Sequence, residues 1–130
     1  MSIISSVDQL PEKIQSALQR RKKLGGNFII SFKTLFKPNA TVPILWFTLL
    51  SDGIIFLNTH KTRGVYKELT IAEINSIRIR RLSYGENMVE IISNNVFEKD
   101  FSIPIPKEID LNILKQSLER TNLPIVSEVD

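Results

Sequence analysis

No cysteine stands among the 130 residues of this chain, which excludes a disulfide framework, thiolate metal sites and a cysteine nucleophile. Such a composition suits a reducing compartment, and the cytoplasm is the expected location. Histidine occurs once, as His60, in a polar turn where an exposed loop residue outweighs a ligand or a general base. A catalytic role would need an oriented partner and a substrate pocket, and the sequence offers neither. It also lacks a Gly-rich phosphate loop, a nucleophile elbow and a cluster of metal-ligating residues. Asp52 and Glu73 could be imagined as paired carboxylates, but a hairpin accounts for one and surface polarity for the other. The expectation is therefore a protein without catalytic residues and without a cofactor. Long apolar runs are missing too. The longest, residues 42–50, contains Pro43 and Thr48 and falls far short of the ~20 residues a membrane-spanning helix needs. The first ten residues lack the charged start and long apolar centre of a secretory signal, so the chain is expected to stay where it is made.

What is present fits one domain, since compact domains commonly run to about 100–150 residues. Seventeen basic residues against fourteen acidic ones give a net charge of +3, but the distribution says more. Residues 1–37, 38–97 and 98–130 carry +5, +1 and −3 in turn. A basic beginning and an acidic end suit an anionic partner at one end, or head-to-tail attraction between copies.

Residues 8–23 read as a first helix, with Leu10, Ile14, Ala17 and Leu18 near a 3.6-residue period, Asp8 as its cap and Pro11 in its first turn. Gly25 and Gly26 stop it. Residues 28–36 alternate, with Phe28, Ile30, Phe32, Thr34 and Phe36 on one face and Ser31, Lys33 and Lys37 on the other. Residues 44–50 are apolar on both faces, so this strand either lies centrally under a covering helix or bends across the sheet. Asp52-Gly53 supplies a tight hairpin into a strand over 54–59. Further strands are expected over 65–69, 76–83, 88–93 and 96–103, with one helical turn over 71–74. Pro104 and Pro106 end the last strand. Asp110 then caps a helix over 110–121 whose core stripe is Leu111, Leu114 and Leu118, with Ile113 at its margin. Residues 122–130 carry Pro124 and no helical period, and read as a tail.

The run Leu49-Leu50-Ser51-Asp52-Gly53-Ile54-Ile55, the basic turn residues Lys61 and Arg63, and Leu69-Thr70-Ile71-Ala72-Glu73-Ile74-Asn75-Ser76-Ile77 resemble the pleckstrin-homology-like (PH-like) superfold. The likeness is to its small bacterial versions and to GRAM domains, and it spans residues 28–121. It implies a mainly β, α+β fold: a half-open barrel of about seven antiparallel strands capped by a C-terminal helix. On that reading residues 1–26 are an added N-terminal helical arm, 27–121 the PH-like domain and 122–130 the tail. The phosphoinositide-binding members carry a longer basic motif on the first hairpin. This chain offers Lys33 and Lys37 there without the following basic-x-Arg, Arg78-Ile79-Arg80 falls on a later strand, and the only tryptophan is Trp46. Inositol-phosphate recognition is not carried over to any residue.

The candidate contacts for an anionic surface are Arg20, Arg21, Lys22, Lys23, Lys33, Lys37, Lys61 and Arg63. Each reads equally as solvated surface, and the first four as cations complementing a helix dipole. Arg78, Arg80 and Arg81 read as the polar face of a sheet; aromatic interleaving for base stacking is absent apart from Tyr84, which disfavours nucleic acid. The expectation is a non-catalytic interaction module for a protein partner or a second copy, contacting through the first helix and the strand edge beside it. Peripheral attachment to an anionic membrane surface is the alternative.

Overall fold

The computed structural model describes residues 3–19, 26–37, 41, 43–59, 64–81, 86–94 and 100–126. Among them the chain is mainly β with two helices, an α+β arrangement of two four-stranded sheets. β1 (Phe28–Lys33), β2 (Trp46–Leu50), β3 (Gly53–Leu57) and β4 (Val65–Thr70) form an antiparallel meander in chain order. β5 (Ile74–Arg81), β6 (Asn87–Ser93), β7 (Phe101–Ile105) and the short β8 (Ile125–Val126) form the second sheet, ordered β7-β6-β5-β8. The sheets do not join into a closed barrel, since each keeps its own edge strands.

The double-faced apolarity of β2 and β3 is explained by what lies on either side. Phe47, Leu49, Ile54 and Phe56 turn inward to a core shared with Ile77, Ile79, Val89 and Ile103 of the second sheet. Trp46, Leu50, Ile55 and Leu57 turn the other way, onto Leu10 and the Ile14, Ala17 and Leu18 face of α1 (Glu12–Gln19). Of the two arrangements the sequence allowed, the covering helix is the one adopted. All ten residues of β2 and β3 are buried. Burial of apolar surface stabilises by ~25 cal/mol per Å², and β2 and β3 contribute it on both of their faces.

α1 starts later than its period suggested. Asp8 belongs to a separate 3₁₀ turn, Val7–Gln9, and the Pro11 carbonyl accepts the first helical bonds from Ile14 and Gln15 at 2.9 and 3.0 Å. Proline breaks the ladder on its own N-terminal side, so Asp8 does not cap α1. In β1 and just beyond it the expected alternation holds for Ile30, Phe32 and Phe36, which face the inner core, and departs at Phe28. A register shift between Phe28 and Ile30 puts Ile29 beside Ile30 against the inner core, while Phe28 packs on the outer cluster. An extra residue in one strand reverses the faces beyond it. The hairpin between β2 and β3 forms one residue early, with Ser51 and Asp52 at its turn and Gly53 already paired with Leu50.

The crossing to the second sheet is the 3₁₀ turn Ile71–Glu73, held by the Glu73 carboxylate, which accepts from the Thr70 N–H at 3.1 Å and its hydroxyl at 3.0 Å. α2 (Leu111–Glu119) closes the core with Leu114 and Leu118 fully buried and Ile113 46% exposed. Asp110 caps it, accepting from the N–H groups of Asn112 and Ile113 at 2.9 and 3.4 Å, as expected.

Pro104 does not end β7 but lies within it, opposite Met88; β7 is an edge strand, where a missing outward donor leaves the ladder intact. The stretch after α2 is not a free tail over its described part: Leu123 is buried, and β8 pairs parallel to β5 through Ile77↔Ile125 and Arg78↔Val126. The described strands therefore number eight rather than about seven, and one of them is parallel. No helix among the described residues is long and apolar enough to cross a membrane.

Candidate binding face

Where β1 ends, backbone bonds to Leu45 continue. The Thr34 N–H donates to the Leu45 carbonyl at 3.0 Å, and the Leu45 N–H donates to the Phe36 carbonyl at 2.9 Å. Thr34 is only 1% exposed, and its hydroxyl donates to the Leu45 carbonyl at 2.7 Å while accepting from the Phe36 N–H at 3.0 Å. With Thr34 and Phe36 drawn to that side, Lys33, Leu35 and Lys37 are turned outward and exposed. Leu35, at 63%, is the most exposed large apolar residue among the described residues. Its neighbours two positions away on each side are cations.

An open pocket of about 460 Å³ adjoins this segment. Pro11, Lys33, Lys37, Pro43, Ile44, Trp46 and Thr59 line it. Trp46 is 4% exposed and belongs to the cluster beneath α1, so the pocket wall is backed by core. Asn58 fixes the approach to Thr59, its N–H donating to the Gly64 carbonyl at 2.8 Å.

Of the eight proposed anionic contacts, Lys33 and Lys37 are brought together on this pocket. Arg20, Arg21, Lys22, Lys23, Lys61 and Arg63 lie outside the described residues, as does His60. Leu35, Pro43 and Ile44 were not among the expected contacts. Leu35 did leave a signal, as an apolar residue on what otherwise reads as the polar face of a strand. Nothing in sequence spacing could bring Pro11 and Thr59 to the same place.

The strand edge beside the first helix is less open than expected. Ile4 pairs with Ser31 on β1, with reciprocal N–H to carbonyl bonds of 2.8 Å, so the chain occupies its own edge at that point. On the second sheet, Arg80 Nη1 lies 3.2 Å from Glu90 Oε1, and Arg78 stands opposite Glu90 in register. That arrangement is the charged ladder of a sheet face. The Glu73 carboxylate holds its turn, whereas Asp52 accepts from the Ile71 N–H at 3.2 Å through its backbone carbonyl, and its buried Oδ1 has no hydrogen-bond partner among the described residues. Among the described residues no group of three or more His, Cys, Asp or Glu is placed to hold a metal. No protein-family model matches the chain, and no curated protein matches it.

Proposed function

We propose that the chain is a non-catalytic, PH-like interaction module that binds a protein partner, or a second copy of itself, through the face formed by Lys33, Leu35 and Lys37. The observation that carries the reading is Leu35, 63% exposed between two exposed lysines and beside a pocket. Exposed apolar residues scattered singly are normal, but one flanked by cations and adjoining a concave site has the character of an interface anchor with a polar rim. A four-stranded meander, a 3₁₀ crossing, a second sheet and a closing helix support the PH-like part. The cytoplasm is the proposed location, on the absence of cysteine.

A second reading, peripheral attachment to an anionic membrane, is favoured by the same leucine. A basic residue near such a surface contributes about 1 kcal/mol and a buried leucine about 1.5–3 kcal/mol. Lys33, Leu35 and Lys37 would then supply roughly 3.5–5 kcal/mol together, which is binding near the millimolar range. Attachment by this face alone would be weak and salt-sensitive.

Amide NMR spectra of the whole chain, titrated in turn with an oligoglutamate peptide and with phosphatidylglycerol-containing vesicles, test the proposal. Shifts or broadening gathered on Lys33, Leu35 and Lys37 support the face, and the probe that produces them decides between protein and membrane. Shifts gathered elsewhere, or none with either probe, sink both readings.

A further inference from the structure

We propose that the pocket beside Lys33 and Lys37 takes an apolar side chain flanked by carboxylates, presented by a partner protein. This rests on the interaction-module reading and names what fills its contact site. Among the described residues the lining divides by chemistry: Lys33 and Lys37 are cations, Pro11, Pro43, Ile44 and Trp46 are apolar, and Thr59 adds one hydroxyl. A volume of about 460 Å³ falls within the ~300–1,000 Å³ typical of ligand clefts.

The balance of that lining selects the occupant. A phosphate or sugar-phosphate group is polar on all sides, and the four apolar residues would leave part of its surface without donors, which is unfavourable once water is displaced. A purely apolar occupant would leave both lysines without a counter-charge. A segment in which acidic residues bracket an apolar one meets both demands, its carboxylates toward Lys33 and Lys37 and its apolar side chain toward Ile44, Pro43 and Trp46.

Trp46 is the only tryptophan and lines the pocket, so its emission in the full chain reports occupancy. The probe is a synthetic pentapeptide, a leucine flanked on each side by two glutamates. The expected result is a saturable change in emission, with the midpoint raised about tenfold or more in the Lys33→Gln/Lys37→Gln variant and when serine replaces the probe's leucine. An unchanged melting curve for the variant shows that the loss is not unfolding. A response to phosphatidylglycerol vesicles or inorganic phosphate but not to the pentapeptide would overturn the proposal, and so would a pentapeptide response indifferent to the two lysines, or no response at all. Should oligoglutamate shift Lys33 and Lys37 in the NMR titration while Trp46 stays silent with the pentapeptide, the module reading stands and this one falls.

Discussion

The Thr34 hydroxyl and the Leu45 carbonyl are 2.7 Å apart, and that bond sets the direction in which the chain leaves β1. The same carbonyl receives the Thr34 N–H at 3.0 Å, so one acceptor serves two donors of a single buried residue. Leu35 cannot turn inward while Thr34 is held in this way. A polar contact in the interior thus determines which apolar side chain is offered to solvent.

Thr34→Val keeps the shape of the side chain and removes its oxygen. The Leu45 carbonyl retains one donor, but the Phe36 N–H loses the acceptor it has at 3.0 Å. A buried donor left unsatisfied costs about 1–3 kcal/mol, and urea unfolding should show a loss in that range. An unchanged midpoint would mean that the hydroxyl does not hold this segment.

α2 gives a sharper test of the core. Leu114 is fully buried and shares the core with residues of both sheets. Leu114→Ala should cost about 2–5 kcal/mol through lost contacts and the cavity left behind. Leu114→Asp adds an unpaired carboxylate in the same place and should leave no cooperative thermal transition by circular dichroism. A soluble Asp variant that melts like the parent would remove α2 from the core.

These core elements are also the ones that could be read without coordinates. Leu114 and Leu118 repeat at helical spacing behind an Asp110 cap, and the apolar runs around Asp52-Gly53 form a hairpin, because each signal lies within a few neighbouring residues. The β1 bulge was hidden, since Phe28, Ile29, Ile30 and Phe32 are all apolar or aromatic and their pattern does not reveal which one is extra. β8 was hidden for a different reason: two residues after a proline have no period, and their pairing depends on an edge that β5 presents 48 positions earlier in sequence. Two members of the candidate site, Lys33 and Lys37, were legible as charge. Its floor was not, because Pro11, Ile44, Trp46 and Thr59 meet through the docking of α1 and the curl of the first sheet.

Close packing at the hairpin tip predicts that Gly26 does not tolerate a side chain. A methyl built there would run into Asp52 Oδ1 and the Ser51 hydroxyl. Ser51 cannot yield freely, because its hydroxyl accepts from the Asn27 N–H at 2.9 Å and its own N–H donates to the Asn27 carbonyl at 2.9 Å. Gly26→Ala should cost about 1–3 kcal/mol. Combining it with Asp52→Gly should be less than additive in a double-mutant cycle, since that change clears part of the obstruction. Full additivity would place the strain elsewhere.

Leu35 separates contact from stability most cleanly. At 63% exposure it contributes little to the core, and Leu35→Ser should change the unfolding free energy by no more than about 0.5 kcal/mol. If it anchors the interface, the same substitution should weaken binding at the Lys33, Leu35 and Lys37 face by about 1–2 kcal/mol, as loss of an apolar contact does on burial. Raising the salt concentration should weaken the remaining binding further, because exposed lysines act through charge that added ions screen. Calorimetric titration of parent and variant at low and moderate salt reads both effects. A variant that binds as tightly as the parent at both salts would show that Leu35 is exposed without being a contact, and would leave the two lysines and the pocket to carry the site alone.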